Sequence, residues 1–190
     1  MPATRRFQFI LSSARPDGNS EYLAHQAAKN LPSGAEAHWF DLSKNVLPPY
    51  RDRRHEEGFT FNQPAGIEGE ALKLTLAATD IVMVVPLYWY GVPSAAKLYL
   101  DYWADWLRVP GADFKARMAG KVMWGVSAIS DPDLTLAEPL AGTLRYSARF
   151  LKMQWGGVLY GLGSKPGDVK TDKKAHEEAA RFFQRNPETA

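Results

Sequence analysis

Two rhythms of apolar and polar residues alternate along the chain. "RRFQFILSS" (5–13) is a short run of apolar, branched and aromatic residues ending in polar turn residues, which predicts a first strand. From Asn19 the spacing changes. Leu23, Ala27 and Leu31 recur at helical intervals behind Asn19 or Ser20, either of which suits an N-cap. "AEAHWFDLS" (35–43) alternates as a second strand, and residues 44–66, rich in proline and charge, have no stable period and predict a long loop. "IEGEALKLTLAAT" (67–79) is helical again. "DIVMVVPLYW" (80–89) opens with a continuous apolar run that suits a buried parallel strand, ended by Pro86. Behind Pro93, Ala95, Leu98, Tyr99, Tyr102 and Trp106 share a helical face that Leu100, Trp103 and Leu107 widen. "KVMWGVSAI" (121–129) and "WGGVLYGLG" (155–163) predict two more strands. A helix through Leu140, Leu144, Ala148 and Leu151 lies between them, and a last helix spans 170–185. Strands alternating with helices in this way predict a three-layer α/β sandwich with a parallel sheet, because right-handed crossovers put helices on both faces.

Composition narrows the function classes. Of 190 residues, 45% are hydrophobic, enough for a single domain over 1–190. A net charge of +2 gives no polyelectrolyte footprint for nucleic acid. The absence of cysteine rules out disulfides, thiolate metal sites and a cysteine nucleophile, and predicts a cytoplasmic protein. The apolar run after Arg5 and Arg6 is too short for a secretory signal, and no segment has the length of a membrane helix. His25, His38, His55 and His176 lack metal-ligand spacing, and no Gly-x-Ser-x-Gly elbow is present. The surplus of apolar area on the 93–107 helix predicts either a homodimer or a thick core within the chain.

In an open parallel sheet, ligands bind beyond the carboxyl ends of the strands. The turn after the first strand, "LSSARPDGNSEYLA" (11–24), combines hydroxyl and amide donors, the charge of Arg15 and the amides of a following helix. It lacks both the triphosphate P-loop spacing and the three-glycine dinucleotide pattern, so it reads as a monophosphate cradle or as an ordinary polar turn and cap. "VVPLYWYGVPSAAK" (84–97) puts large side chains on a proline-stiffened loop, to line a flat ligand or to pack locally or against another subunit. "VSAISDP" (126–132) adds a polar edge. Arg51, Arg53, Arg54 and His55 form either a solvated face or a contact for NADPH phosphates.

"SSARPDGNSEYLA" and "TDIVMVVPLYWYGVPSAAKLYLDYW", in that order, resemble the phosphate turn and the Pro-x-Tyr-Trp loop of the NAD(P)H-dependent FMN reductase group of the flavodoxin-like superfamily. The resemblance runs from about residue 5 to about residue 185. It implies a flavodoxin-like three-layer α/β/α sandwich with a five-stranded parallel sheet of order 2-1-3-4-5. It also implies FMN as cofactor, with Ser12, Arg15, Asn19 and Ser20 on its phosphate. Pro86, Leu87, Tyr88 and Trp89 would run along the isoalloxazine ring, with Ser127, Ala128 and Ile129 on its other side. Ser12-Ser13-Ala14 replaces the commoner Gly-Ser-Pro start, which leaves open which serine faces the phosphate. Related iron–sulfur flavoproteins carry a cysteine cluster where this chain reads "PPYRDRRHEEGF". The implied activity is ping-pong hydride transfer from NADPH or NADH through FMN to a quinone, azo, nitroaromatic or flavin acceptor, without a catalytic acid or base from the protein. A flavodoxin-like electron carrier reduced by a protein partner is the alternative. The resemblance also favours a homodimer or higher homo-oligomer.

Overall fold

The computed structural model describes residues 4–190; the first three residues of the expected 1–190 domain lie outside them. Five parallel strands form where the short apolar runs predict them: β1 (Arg6–Leu11), β2 (Glu36–Asp41), β3 (Asp80–Val84), β4 (Val122–Ile129) and β5 (Gln154–Leu162). Between and after them come α1 (Asn19–Ala28), α2 (Gly66–Ala77), α3 (Ser94–Trp106), α4 (Phe114–Met118), α5 (Glu138–Phe150) and α6 (Lys173–Ala179). The sheet order is β2-β1-β3-β4-β5-β6. The expected 2-1-3-4-5 core is therefore present, with one addition. A sixth strand, β6 (Glu188–Thr189), pairs antiparallel with Gln154 and Trp155 at the outer edge. Two polar residues carry no strand periodicity, so only the edge they pair with reveals them.

Alternation along each central strand divides the core. Ile10, Ile81, Met83 and Met123 point into the layer of α2, α3, α4 and α5, while Phe7, Phe9, Val82, Val84 and Trp124 point into the layer of α1 and α6. The expected surplus on α3 is absorbed inside the chain. Tyr99, Tyr102, Trp103 and Trp106 are buried, with Phe114 of α4 packed edge-on to Trp103 and Trp106, and Tyr50 of the long loop against Tyr102. Thus the aromatic face of α3 is core. The expected helix over 170–185 is shorter: Asp172 accepts the Ala175 N–H and starts α6, and the chain leaves the helix before Phe182 and Phe183, both of which fill the core.

At the amino ends of the strands, Asp80 is buried and fully engaged. Its carboxylate accepts from the Arg5 guanidinium, from Trp124 Nε1 at 2.8 Å and from the Thr79 hydroxyl at 2.7 Å. These bonds tie β1, β3 and β4 together at the end opposite the loops of interest. Among the described residues no helix is long and apolar enough to cross a membrane.

Candidate functional site

Three loops predicted to carry chemistry meet at the carboxyl end of the sheet, and a fourth joins them. The chain leaves β1 at Leu11 and turns at Ser12, whose backbone N–H and hydroxyl both donate to the Val84 carbonyl, at 3.2 and 2.9 Å. Ser12 is 2% exposed and does not line the cleft. Its side chain is thus turned away from the cleft, whereas Ser13 lines the cleft and its oxygen accepts the Arg15 N–H at 3.1 Å.

The start of α1 also differs from expectation. The N-cap is Gly18, and no side chain of the described residues caps the helix. An α-helix leaves its first amides without intrahelical partners, and here, among the described residues, the N–H groups of Asn19 and Ser20 find none elsewhere. They open onto a cleft that Ser13, Arg15 and Ser20 also line. Uncapped amides, the positive end of the helix dipole and an arginine without a carboxylate partner among the described residues give this end of the cleft a positive potential. The Ser20 oxygen accepts the Ala128 N–H at 2.8 Å, which ties α1 to the end of β4 and leaves the hydroxyl proton free to donate.

A second wall comes from the loop after β3. Pro86, Leu87 and Tyr88 line the cleft, and the Leu87 N–H reaches the Ala128 carbonyl at 3.5 Å. Tyr88 and Gly91 exchange two backbone hydrogen bonds of 3.2 and 3.1 Å, closing a two-residue turn in which Trp89 and Tyr90 both take left-handed φ angles, 48° and 63°. That turn throws Trp89 outward. It is 94% exposed and is not among the residues that line the cleft, where the resemblance implies a place along the ring.

Ala128 and Ser130 form the edge after β4. Ser127 and Ile129 do not, because side chains alternate along a strand. Ser127 is fully buried, its hydroxyl without a partner among the described residues, and Ile129 faces a separate groove beside Leu134 and Leu162. The fourth segment was not anticipated. Gly163 and Ser164, just past β5, line the cleft beside Asn19. The available signal was positional: "GLGSKPGD" is a turn-rich stretch at the carboxyl end of a parallel strand.

The basic loop lies elsewhere. Arg51 pairs with Glu56, Arg54 with Asp52, and Arg53 stacks over Phe59, and none of the three lines the cleft. Arg51 and Arg53 line a separate hollow with Tyr50, Tyr102, Glu68 and Asp105. Burial pushes the Tyr50 phenol up to about 12, reinforced by the Asp105 charge and the bond Tyr50 donates to it at 3.2 Å. Burial likewise raises Glu68 and Asp105 above the usual carboxylate range.

A profile of proteins with the flavodoxin-like fold matches residues 6–185. The chain belongs to that family. Among curated proteins, YwqN of Bacillus subtilis (strain 168), named as an NAD(P)H-dependent FMN-containing oxidoreductase, is 28% identical over 178 residues, 93% of this chain and 96% of its own. Among solved structures, the Trp repressor binding protein from Bacillus subtilis superposes with a TM-score of 0.73 at 23% identity, over 95% of this chain and 98% of that one. An FMN-dependent NADH-azoreductase from Bacillus anthracis, solved with FMN, gives 0.60 at 16% identity over 94% and 100%. These two structures share the fold.

Proposed function

We propose that the chain is an FMN-dependent NAD(P)H oxidoreductase that carries electrons from NADPH or NADH to a small-molecule acceptor of the quinone, azo, nitroaromatic or flavin class. The observation that carries this reading is the uncapped start of α1, facing Arg15, Ser13 and Ser20 beneath the Pro86–Leu87–Tyr88 wall. The relative named as an FMN-containing oxidoreductase supports it over nearly the whole chain.

The residues present suit a flavin monophosphate. The Asn19 and Ser20 amides, the Ser20 hydroxyl and Arg15 are donors for a dianion, each charge-assisted bond contributing roughly 1.5–3 kcal/mol. Ser20 orients its proton by accepting from Ala128, so the donor is held in place before an anion arrives. Pro86 fixes the backbone of a flat, mostly apolar wall, and the bond from Leu87 to Ala128 joins it to the polar edge after β4. Bound FMN supplies the chemistry, taking up a hydride from the nicotinamide and passing electrons to the acceptor. The protein's part is binding, orientation and placement of backbone dipoles, and no side chain is assigned as a general acid or base. The reading includes a cytoplasmic location, and a homodimer whose contact includes the exposed Trp89 and Tyr90; sedimentation at twice the chain mass, lost in Trp89→Ala, supports that contact.

The decisive experiment is the visible spectrum of the purified protein, repeated after anaerobic NADH and then NADPH. A yellow protein bleached by either donor is the expected result. A yellow protein bleached by neither is an electron carrier reduced by a protein partner. A colourless protein that FMN cannot restore overturns the phosphate assignment.

A further inference from the structure

Asn19 sits where its side chain could turn toward an anion, yet both ends of its carboxamide are committed elsewhere. Its Nδ2 donates to the Lys165 carbonyl at 2.8 Å, and its Oδ1 accepts the Gly167 N–H at 2.8 Å. These bonds join the first residue of α1 to a loop almost 150 residues further on. Among the described residues they are the hydrogen bonds that connect residues 163–168 to α1.

The rest of that loop is held from its own side. Asp168 Oδ2 accepts the Ser164 and Lys165 N–H groups at 3.1 and 2.7 Å, Asp172 Oδ2 accepts the Leu162 N–H at 2.7 Å, and the Gly163 N–H reaches the Ile129 carbonyl at 2.9 Å. The loop is thus shaped by its two aspartates and attached to the helix through Asn19. Gly163 shows how close the attachment is: a Cβ there would stand 2.7 Å from Asn19 Nδ2 and 2.9 Å from the Val169 nitrogen. Because Gly163 and Ser164 line the cleft, the attachment sets one of its walls.

We propose that Asn19 is a positioning residue: its carboxamide clips the 163–168 loop to the amino end of α1 and so builds the phosphate subsite from two distant parts of the chain. The inference rests on reading the cleft as the FMN phosphate site. Asn19 contributes its backbone amide to the anion, while its side chain holds Gly163 and Ser164 in place. The exposed Ser164 side chain, without a hydrogen-bond partner among the described residues, is brought to the rim with the other donors.

The test compares the wild type with Asn19→Ala and Gly163→Ala, the second pressing on the same contact from the loop side. Amide exchange of the flavin-free proteins reads the clip directly. FMN and riboflavin titrations read its consequence, since riboflavin lacks the phosphate. Expected in Asn19→Ala are at least about tenfold faster exchange at Gly167 and about tenfold weaker FMN binding, with riboflavin little changed. Gly163→Ala reproduces both losses, and the double variant adds little to either, as coupled residues require. Weaker FMN binding in Asn19→Ala with Gly167 still protected overturns the proposal, making the carboxamide a direct phosphate ligand. Faster exchange with unchanged FMN affinity also overturns it, because the loop would then hold nothing. A wild type that takes up no FMN sinks the cofactor reading instead, and the Gly167 exchange still decides whether the clip exists.

Discussion

Ser12 and Ser20 are both buried, carry the same hydroxyl and flank the same turn, yet they do different work. Ser12 spends its proton on the Val84 carbonyl, whereas Ser20 accepts from Ala128 and keeps its proton for the cleft. Ser12→Ala should therefore lower stability by about 1 kcal/mol, the net worth of one neutral hydrogen bond, and leave FMN affinity nearly intact. Ser20→Ala combined with Arg15→Ala should lose FMN. Flavin content and denaturant midpoints measured side by side check the split, and equal flavin loss in both would refute it. The turn itself was legible in the order of its polar residues. Which serine faced inward was not, because that depends on a carbonyl 72 residues away. Trp89 and Tyr90 obey a similar rule. Their left-handed backbone is a property of the closed Tyr88–Gly91 turn, and bulky residues adopt it at a cost. Tyr90→Gly should accordingly raise the unfolding midpoint by about 0.5–1 kcal/mol equivalent, while Tyr90→Val should lower it. A destabilised glycine variant would show that the phenol ring contributes more than its backbone strain costs.

At the scale of elements, β4 and β5 illustrate how one side chain can bend a strand. Their register slips between Met123 and Trp124, so that Trp155 and Gly157 face those two residues and Gly156 is left as the extra residue of a bulge. The reason is Trp124. Its fully buried ring lies where a Cβ on Gly156 would be, 2.1 Å from Cε3, while its Nε1 reaches Asp80. Gly156→Ala should therefore cost several kcal/mol, about 3 or more, since neither the ring nor the strand has room to yield. Thermal unfolding checks this, and a loss below about 1 kcal/mol would mean that the ring can shift. In sequence, "WGGVLYGLG" reads as an ordinary strand, because a bulge is visible only against the neighbouring strand. The same limit hid α4, a five-residue helix, and β6, both too short to show a period. Long elements were readable because each has a buried face that repeats at its own spacing, as Leu140, Leu144 and Ala148 do on α5.

Across the whole molecule, the charges of the long loop are balanced locally, and what remains unbalanced lies behind it. Arg51, Arg53 and Arg54 each have a carboxylate or a ring as partner, while among the described residues Glu68 and Asp105 receive hydrogen bonds only from neutral donors, Trp106 Nε1 at 3.4 Å and the Tyr50 hydroxyl at 3.2 Å. Burial raises both carboxyls above their ordinary values, and for Glu68 the charge of Asp105 adds to it. The sign of the pH effect follows. Between the unfolded and folded values the folded chain binds more protons than the unfolded one, so the stability these groups contribute is complete below the unfolded value and is lost as pH rises through the folded value. Glu68→Gln keeps an oxygen for Trp106 and removes the charge. It should raise Tm at pH 7 by roughly 1–2 °C, a small gain because the carboxyl is only half buried and solvent screens it. The gain should vanish near pH 4, where the wild-type carboxyl is itself protonated. A gain that persists unchanged at pH 4 would assign it to packing, and a loss at pH 7 would mean that the carboxylate has a cation partner that forms in solution.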